Sequence, residues 1–491
     1  MKIQKAHSYN SICRIVFLLV FLSMTCSAFG LKEALGEYGI NAYAVHQRGI
    51  TGADVNIGLL SAGNVRDGHI AFERGEKSAV TLYDFTGSGL SRSPHDTEMA
   101  GIILSAGSPS HPNQIGVAPG ASLHSARFSN KQLYPSNVAQ ALDTLIKNHH
   151  CRIIMTGIQL PKKIVVADGN SNWSKLYDYY AETYDVIFAG AAGNSSPLVT
   201  VFGDIYNGIT TAGLVKSDPN GVYGAIGSIS NSGPTADGRK KPEIAAPTHA
   251  LITPTSSGGD HWKTLDPDGR GLTSYAVPHT AAVAALLLEA AAKTPAKNDN
   301  KSEVIKAVII NSADPAPFNA GSRIGSHADS ITAWKPDSGY GKLDASRAYQ
   351  TLTTGMIEQN TPSKQTKGWA YAVMGKNATH EYRVQGLKGQ RLVVTVTWHR
   401  KLQKAGNKYF EEPYRFHLDL KILSPSGKML AFETAGRNNL IKTDLFLKEN
   451  GPYTIVLKNP TPAKNRDYGM AFEIVDDGAG SSHRKAPTQT P

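Results

Sequence analysis

At 491 residues, with 41% hydrophobic and 19% charged side chains, the chain has ordinary globular composition and room for about two or three folded units. That excludes a short cross-linked scaffold, a repeat array and a wholly disordered chain. The formal charge is +11, and its excess sits in the C-terminal third, where residues 356–476 hold 19 Lys and Arg against 11 Asp and Glu. Such an excess serves solubility or attraction to an anionic cell-surface ligand. Nucleic acid is set aside as a partner, because no recognised motif accompanies the charge.

The chain opens with Lys2, Lys5 and Arg14, an apolar run over 15–22, and small residues around Ser27, Ala28 and Gly30. That order reads as a signal peptide over 1–28, cleaved after Ala28, and predicts a secreted or periplasmic protein. The run is too short to cross a bilayer comfortably, and no later segment is apolar enough to span one. Cys13 and Cys26 leave with the signal, and the apolar surroundings of Cys151 predict a buried structural thiol.

From about Gly49, short apolar runs alternate with amphipathic stretches. Strands are expected over 55–60, 122–128, 153–158, 186–192 and 209–215, and helices over 97–104, 136–148 and 173–183. Strands alternating with helices imply crossover connections, hence an α/β domain over 29–355 with a parallel sheet covered on both faces. The Ala-rich run over 278–291 is apolar all round and predicts a helix inside the domain, with its proline in the first turn. A helix over 302–312 and a short one ending at Leu352 close this unit. Strands over 392–398, 416–423, 453–458 and 470–475, with a turn at 424–427, then predict a separate C-terminal β-sandwich over 356–476. Residues 477–491, rich in Gly, Ser, Pro and Thr, are expected to be a disordered tail.

Several segments carry chemistry. Residues 55–63 read Val-Asn-Ile-Gly-Leu-Leu-Ser-Ala-Gly, 95–101 read His-Asp-Thr-Glu-Met-Ala-Gly, and 116–119 read Gly-Val-Ala-Pro. Further on stand Ala-Ala-Gly-Asn at 191–194, Ser-Asn-Ser-Gly-Pro at 230–234, Lys-Pro-Glu-Ile-Ala-Ala-Pro at 241–247, and Leu-Thr-Ser-Tyr-Ala-Val-Pro-His at 272–279. One such segment is weak, but the ordered set is specific. Over about 38–352 it resembles the subtilase family of subtilisin-like serine proteases.

The resemblance implies a subtilisin-like sheet and the following roles. Ser274 would be the nucleophile, His95 the base that takes its proton, and Asn194 a donor to the oxyanion together with the Ser274 backbone N–H. Ser61 falls where the family has its triad aspartate. A hydroxyl can hold the imidazole in orientation but cannot neutralise the imidazolium, and loss of that acid costs roughly 3 × 10⁴ in turnover. Reduced activity is therefore expected, and Ser61→Asp is expected to raise turnover.

Asp67, Asp96 and Glu98 are the acids close enough in sequence to substitute. For Asp96 and Glu98 the preferred reading is that they serve the dipole at a helix start. His279 reads as a packed structural histidine, and Leu272, where the family has glycine, puts a side chain near the substrate's path. No cofactor is expected. The resemblance allows structural calcium, although no acidic loop assigns a site. Three functions stay open: an endopeptidase acting on peptide or protein substrates, a pseudoprotease that binds extended peptides by strand addition, and a protein that binds cell-surface ligands through its basic C-terminal domain.

Overall fold

The structure, a computed structural model, describes residues 30–130, 132–158, 160, 165–194, 198–217, 222–315, 334–412, 415–462 and 465–476. The expected signal peptide and C-terminal tail lie outside the described residues.

The chain begins with short helices α1 (Leu31–Leu35) and α2 (Tyr43–His46), strand β1 (Asn56–Ser61), a hairpin of β2 (Glu73–Arg74) and β3 (Lys77–Ser78), and β4 (Val80–Asp84). Alternation follows through α3 (Pro94–Leu104), β5 (Ser122–Arg127), α4 (Pro135–Asp143), β6 (Ile153–Thr156), α5 (Asn172–Tyr184), β7 (Ile187–Ala191), β8 (Gly208–Lys216) and β9 (Tyr223–Ile226). After β10 (Ile244–Pro247) and a hairpin of β11 (Leu251–Pro254) and β12 (Trp262–Leu265) come α6 (Thr273–Ala292), α7 (Ser302–Asn311) and α8 (Ala345–Thr354).

The eight-stranded sheet has the order β10-β8-β7-β6-β1-β5-β4, and β9 adds antiparallel to β8. The other pairings are parallel, as the alternation requires. Side chains alternate between two cores: Ile57, Leu59, Ile153 and Met155 pack with α3 and α6, while Leu60, Ile154 and Phe188 pack with α4 and α5. Both faces being covered, the central strands are apolar without a polar side.

Helix α6 differs from expectation at its start. It begins at Thr273, so Pro278 lies inside it rather than in its first turn, where it gives no N–H to the Ser274 carbonyl. Among the described residues α6 is the helix long and apolar enough to cross a membrane, and 94% of its most apolar window is buried in this core.

The C-terminal unit comprises β13 (Pro362–Ser363), β14 (Lys367–Met374), β15 (Thr379–Gly386), β16 (Arg391–Trp398), β17 (Leu402–Ala405), β18 (Lys408–Glu411), β19 (Asp419–Leu423), β20 (Met429–Thr434), β21 (Leu440–Phe446), β22 (Gly451–Lys458) and β23 (Arg466–Val475). Two sheets, β13-β15-β22-β19-β20 and β14-β23-β16-β21, enclose a core of its own that includes Val384, Leu392, Ile422, Ile455 and Phe472.

The outer face of the four-stranded sheet is closed by α7. A Cβ on Gly469 of β23 would stand 2.4 Å from the Glu303 carbonyl carbon, so only glycine lets strand and helix approach this closely. The Thr397 hydroxyl donates to the Glu303 carbonyl at 2.7 Å, and Lys442 Nζ donates to the Ile310 carbonyl at 2.8 Å. Hairpin β17–β18 lays Leu402 and Tyr409 into the core that α5 covers. Part of the basic excess of this unit is thus turned inward.

Two imidazoles limit stability in acid. Burial pushes His279 down to about 4, and burial with the neighbouring His149 ring does the same to His124. An unfolded histidine takes its proton near 6.5. The unfolded chain therefore binds more protons between those values, and stability falls as pH drops from about 6.5 toward 4, by about 1.4 kcal/mol per pH unit for each group at most. Urea unfolding at pH 7 and pH 5 is expected to show a smaller loss for His124→Gln than for the parent; an equal loss would contradict this.

Candidate active site

The nucleophile candidate owes its position to a loop. Asp266 accepts from the backbone N–H groups of Arg270 and Gly271, at 2.8 and 2.7 Å, and from the Thr248 hydroxyl at 3.0 Å. Gly271 takes φ +83°, which favours glycine, and Leu272 is extended before α6 begins. Ser274 is thereby placed in the first turn of α6, at the positive end of its dipole. Leu272 is half-buried against the main core.

Thr273 ties this helix start to the end of β7. Its N–H and hydroxyl donate to Asn194 Oδ1, at 2.9 and 3.1 Å, and its hydroxyl oxygen accepts from the Gly193 N–H at 3.1 Å. With the amide oxygen fixed on Thr273, the Nδ2 donors of Asn194 occupy the opposite side of the amide. At the end of β6, a Cβ on Gly157 would lie 3.3 Å from Ser274 Cβ and 2.3 Å from Met99 Sδ, so a glycine there admits α3 and α6 side by side.

His95 sits at the start of α3, which Ser93 caps by accepting from the Asp96 N–H at 3.2 Å. Its side chain is 38% exposed, and its ring centroid lies 5.7 Å from that of Tyr275, the residue after Ser274. No hydrogen bond joins His95 to Ser274 among the described residues.

Ser61 ends β1 and is buried, but it does not bond His95 as expected. Its hydroxyl donates to Asp96 Oδ1 at 2.5 Å, and the same oxygen lies 3.6 Å from His95 Nδ1. Asp96 is thus interposed between the two. The other acids are occupied elsewhere. Asp67 meets Arg92 at 3.4 Å on the surface. Glu98 accepts from the Tyr275 hydroxyl at 2.7 Å and from Lys263 Nζ and the Thr255 hydroxyl, both at 3.3 Å. Asp96 does stand in the first turn of α3, as the preferred sequence reading has it, and its side chain bonds Ser61 as well; Glu98 lies beyond that turn and is held by Tyr275, Thr255 and Lys263, which corrects the reading for Glu98.

The remaining candidates are structural. His279 is fully buried with Nδ1 at 3.1 Å from the Tyr275 carbonyl. Cys151 is buried too, and burial pushes its thiol up to about 12, away from the thiolate a nucleophile needs. Among the described residues no group of three or more His, Cys, Asp or Glu side chains could hold a metal ion. A pocket of about 190 Å³, lined by Leu160, Val165, Leu198, Val199, Val201 and Ala236, lies between the chain leaving β6 and the chain following Asn194.

Residues 54–348 match the sequence model of the subtilase family. The chain belongs to the subtilase family. As a subtilase it is a subtilisin-like serine protease, and the matched span contains His95, Asn194 and Ser274. A solved structure, that of prenylagaramide maturation protease PagA, is similar at 21% identity and TM-score 0.47, covering 64% of this subtilase and 98% of that chain. Sequence reasoning passes over Thr273, which bonds both the Gly193 and Asn194 side of the site, and does not foresee the bond between Asp96 and Ser61. The signal available for Asp96 was joint: an acid gained beside the histidine in a chain that lacks one at position 61.

Proposed function

We propose that this subtilase is an exported serine endopeptidase that hydrolyses peptide bonds in extended peptide or protein substrates by acyl transfer through Ser274. His95 takes the Ser274 proton as the hydroxyl attacks the scissile carbonyl, then returns it to the leaving amine. Asn194 Nδ2 and the Ser274 backbone N–H meet the oxyanion, with the α6 dipole behind them. Thr273 carries this assignment, because its two bonds to Asn194, at 2.9 and 3.1 Å, join the donor to the residue preceding the nucleophile.

The basic, apolar and small residues of 1–28 support export to the periplasm or the medium. At 3.6 Å the His95 contact with Asp96 is longer than a hydrogen bond, which supports a turnover below that of a closed triad. A pseudoprotease would draw its support from the missing carboxylate at position 61, and the carboxylate of Asp96 beside His95 weighs against it.

A fluorophosphonate probe is expected to label the folded protein covalently at Ser274, located by peptide mass spectrometry, and to leave Ser274→Ala unlabelled. Labelling at another residue, or none on the folded parent, would reject the proposal.

A further inference from the structure

We propose that the orienting acid of this subtilase has moved from the end of β1 to the first turn of α3, where Asp96, held by Ser61, positions the His95 imidazole. Its role in turnover rests on the proteolytic reading above; the Asp96–His95 pairing does not.

The contact is on the nitrogen such a role requires. Asp96 Oδ1 faces His95 Nδ1, which leaves Nε2 to exchange a proton with a serine. Asp96 is only 1% exposed, and its charge is weakly screened at that distance. The hydroxyl of Ser61 donates to this same Oδ1 at 2.5 Å and fixes it in place.

A helix-start duty alone does not account for where the Asp96 side chain points. A Glu or Gln in the third helical position reaches back to the N–H of the capping residue, which the shorter Asp96 does not do. Here the Ser93 N–H donates to the Asn64 carbonyl at 2.8 Å instead, and the Asp96 side chain turns to Ser61. The second carboxylate oxygen, Oδ2, is buried with no hydrogen-bond partner. An ionised carboxylate left that way is costly unless a positive charge stands close by. A protonated His95 supplies that charge at the step where the nucleophile loses its proton. Gly63 makes the room, since a Cβ there would lie 2.7 Å from Asp96 Oδ2.

Strand and helix have therefore exchanged partners. Where the resemblance places an acid on β1 and a glycine after the histidine, this chain has a hydroxyl on β1 and an acid after the histidine. The exchange reverses the expectation for Ser61→Asp. A carboxylate at position 61 would face that of Asp96 at hydrogen-bonding distance, and two such groups cannot both ionise. The single substitution is expected to lower turnover.

Two measurements test the proposal. In Ser274→Ala protein, ¹⁵N NMR is expected to find the neutral His95 proton on Nδ1, and Asp96→Asn is expected to shift it toward Nε2. An unchanged tautomer would overturn the pairing whether or not the chain cuts peptides. In turnover, Asp96→Asn is expected to lower kcat by roughly 10³–10⁴-fold with KM within a few-fold. Should that variant fail to fold, Asp96→Gly and the double exchange Ser61→Asp with Asp96→Gly take its place. The double exchange is expected to recover at least tenfold of the kcat that Asp96→Gly loses. Recovery of none, or an Asp96→Asn variant with parental kcat, would overturn the positioning role. A folded parent that neither reacts with the fluorophosphonate nor cuts peptides defeats the proteolytic reading, and the tautomer then decides the pairing alone.

Discussion

Asn194→Ala is expected to lower kcat by roughly 10²–10³-fold, about 2.7–4 kcal/mol of transition-state stabilisation, while KM stays near the parental value. The loss falls on kcat because full charge reaches the carbonyl oxygen only in the transition state, so the donor adds little to substrate binding. Its size depends on the amide being held before substrate arrives. Thr273 does this by donating twice to Asn194 Oδ1. Substitution to alanine also removes the acceptor for the Thr273 N–H, which could disturb the start of α6. Thr273→Val is the control, since it deletes the hydroxyl but keeps both Asn194 and the backbone donor. A fall of about tenfold or less for Thr273→Val, against two to three decades for Asn194→Ala, would assign the loss to the donor. A loss under tenfold for Asn194→Ala would remove Asn194 from the oxyanion role.

Arg400→Ala is expected to reduce stability by about 3–5 kcal/mol, read as a lower midpoint in urea unfolding. Arg400 crosses from the sandwich into the α/β unit, where its guanidinium pairs with Asp178 on α5 and donates to the Gly169 carbonyl at 2.7 Å. The Tyr206 ring lies 4.0 Å beneath it. Both partners are almost wholly excluded from water, at 2% and 0% side-chain exposure, so removing one strands the charge of the other. Asp178 would keep the Tyr206 and Asn207 backbone N–H bonds, at 3.3 and 2.7 Å, which favours the lower end of the range. The pair itself contributes less than its rupture costs. Arg400→Met with Asp178→Asn, which removes the charge but keeps an acceptor for the Asn207 N–H, is therefore expected to recover part of the loss, and a double variant as unstable as Arg400→Ala would disprove the stranded-charge account.

The parallel sheet was legible because apolar runs alternate with amphipathic ones and each strand is apolar on both faces. The start of α6 was legible from the motif, which puts Ser274 at the head of the apolar helix, and not from the apolar run, which begins at Pro278 because Thr273 and Ser274 are polar residues buried by the site they build. In the sandwich, β21 escaped notice for a related reason: Lys442 reaches the Ile310 carbonyl of α7, Asp444 pairs with Arg391, and Thr443 lies on the inner face with Ile441 and Leu445, all three buried, so no alternation of apolar and polar residues marks the strand. Ser274, His95 and Asn194 were readable as positions because local motifs surround each one. The place of Asp96 depends on contact between residues 35 apart in the chain, Ser61 and Asp96, and a window of local sequence carries no such distance.

The seam between α7 and the four-stranded sheet also links the sandwich, at one remove, to the helix of the nucleophile. Helix α7 leans on α6, whose first turn carries Ser274, and its Glu303 and Ile310 carbonyls take donors from β16 and β21. The sandwich thus covers the outer side of a helix that itself backs the helix of the nucleophile, and a chain ending before β16 would leave α7 bare on that side.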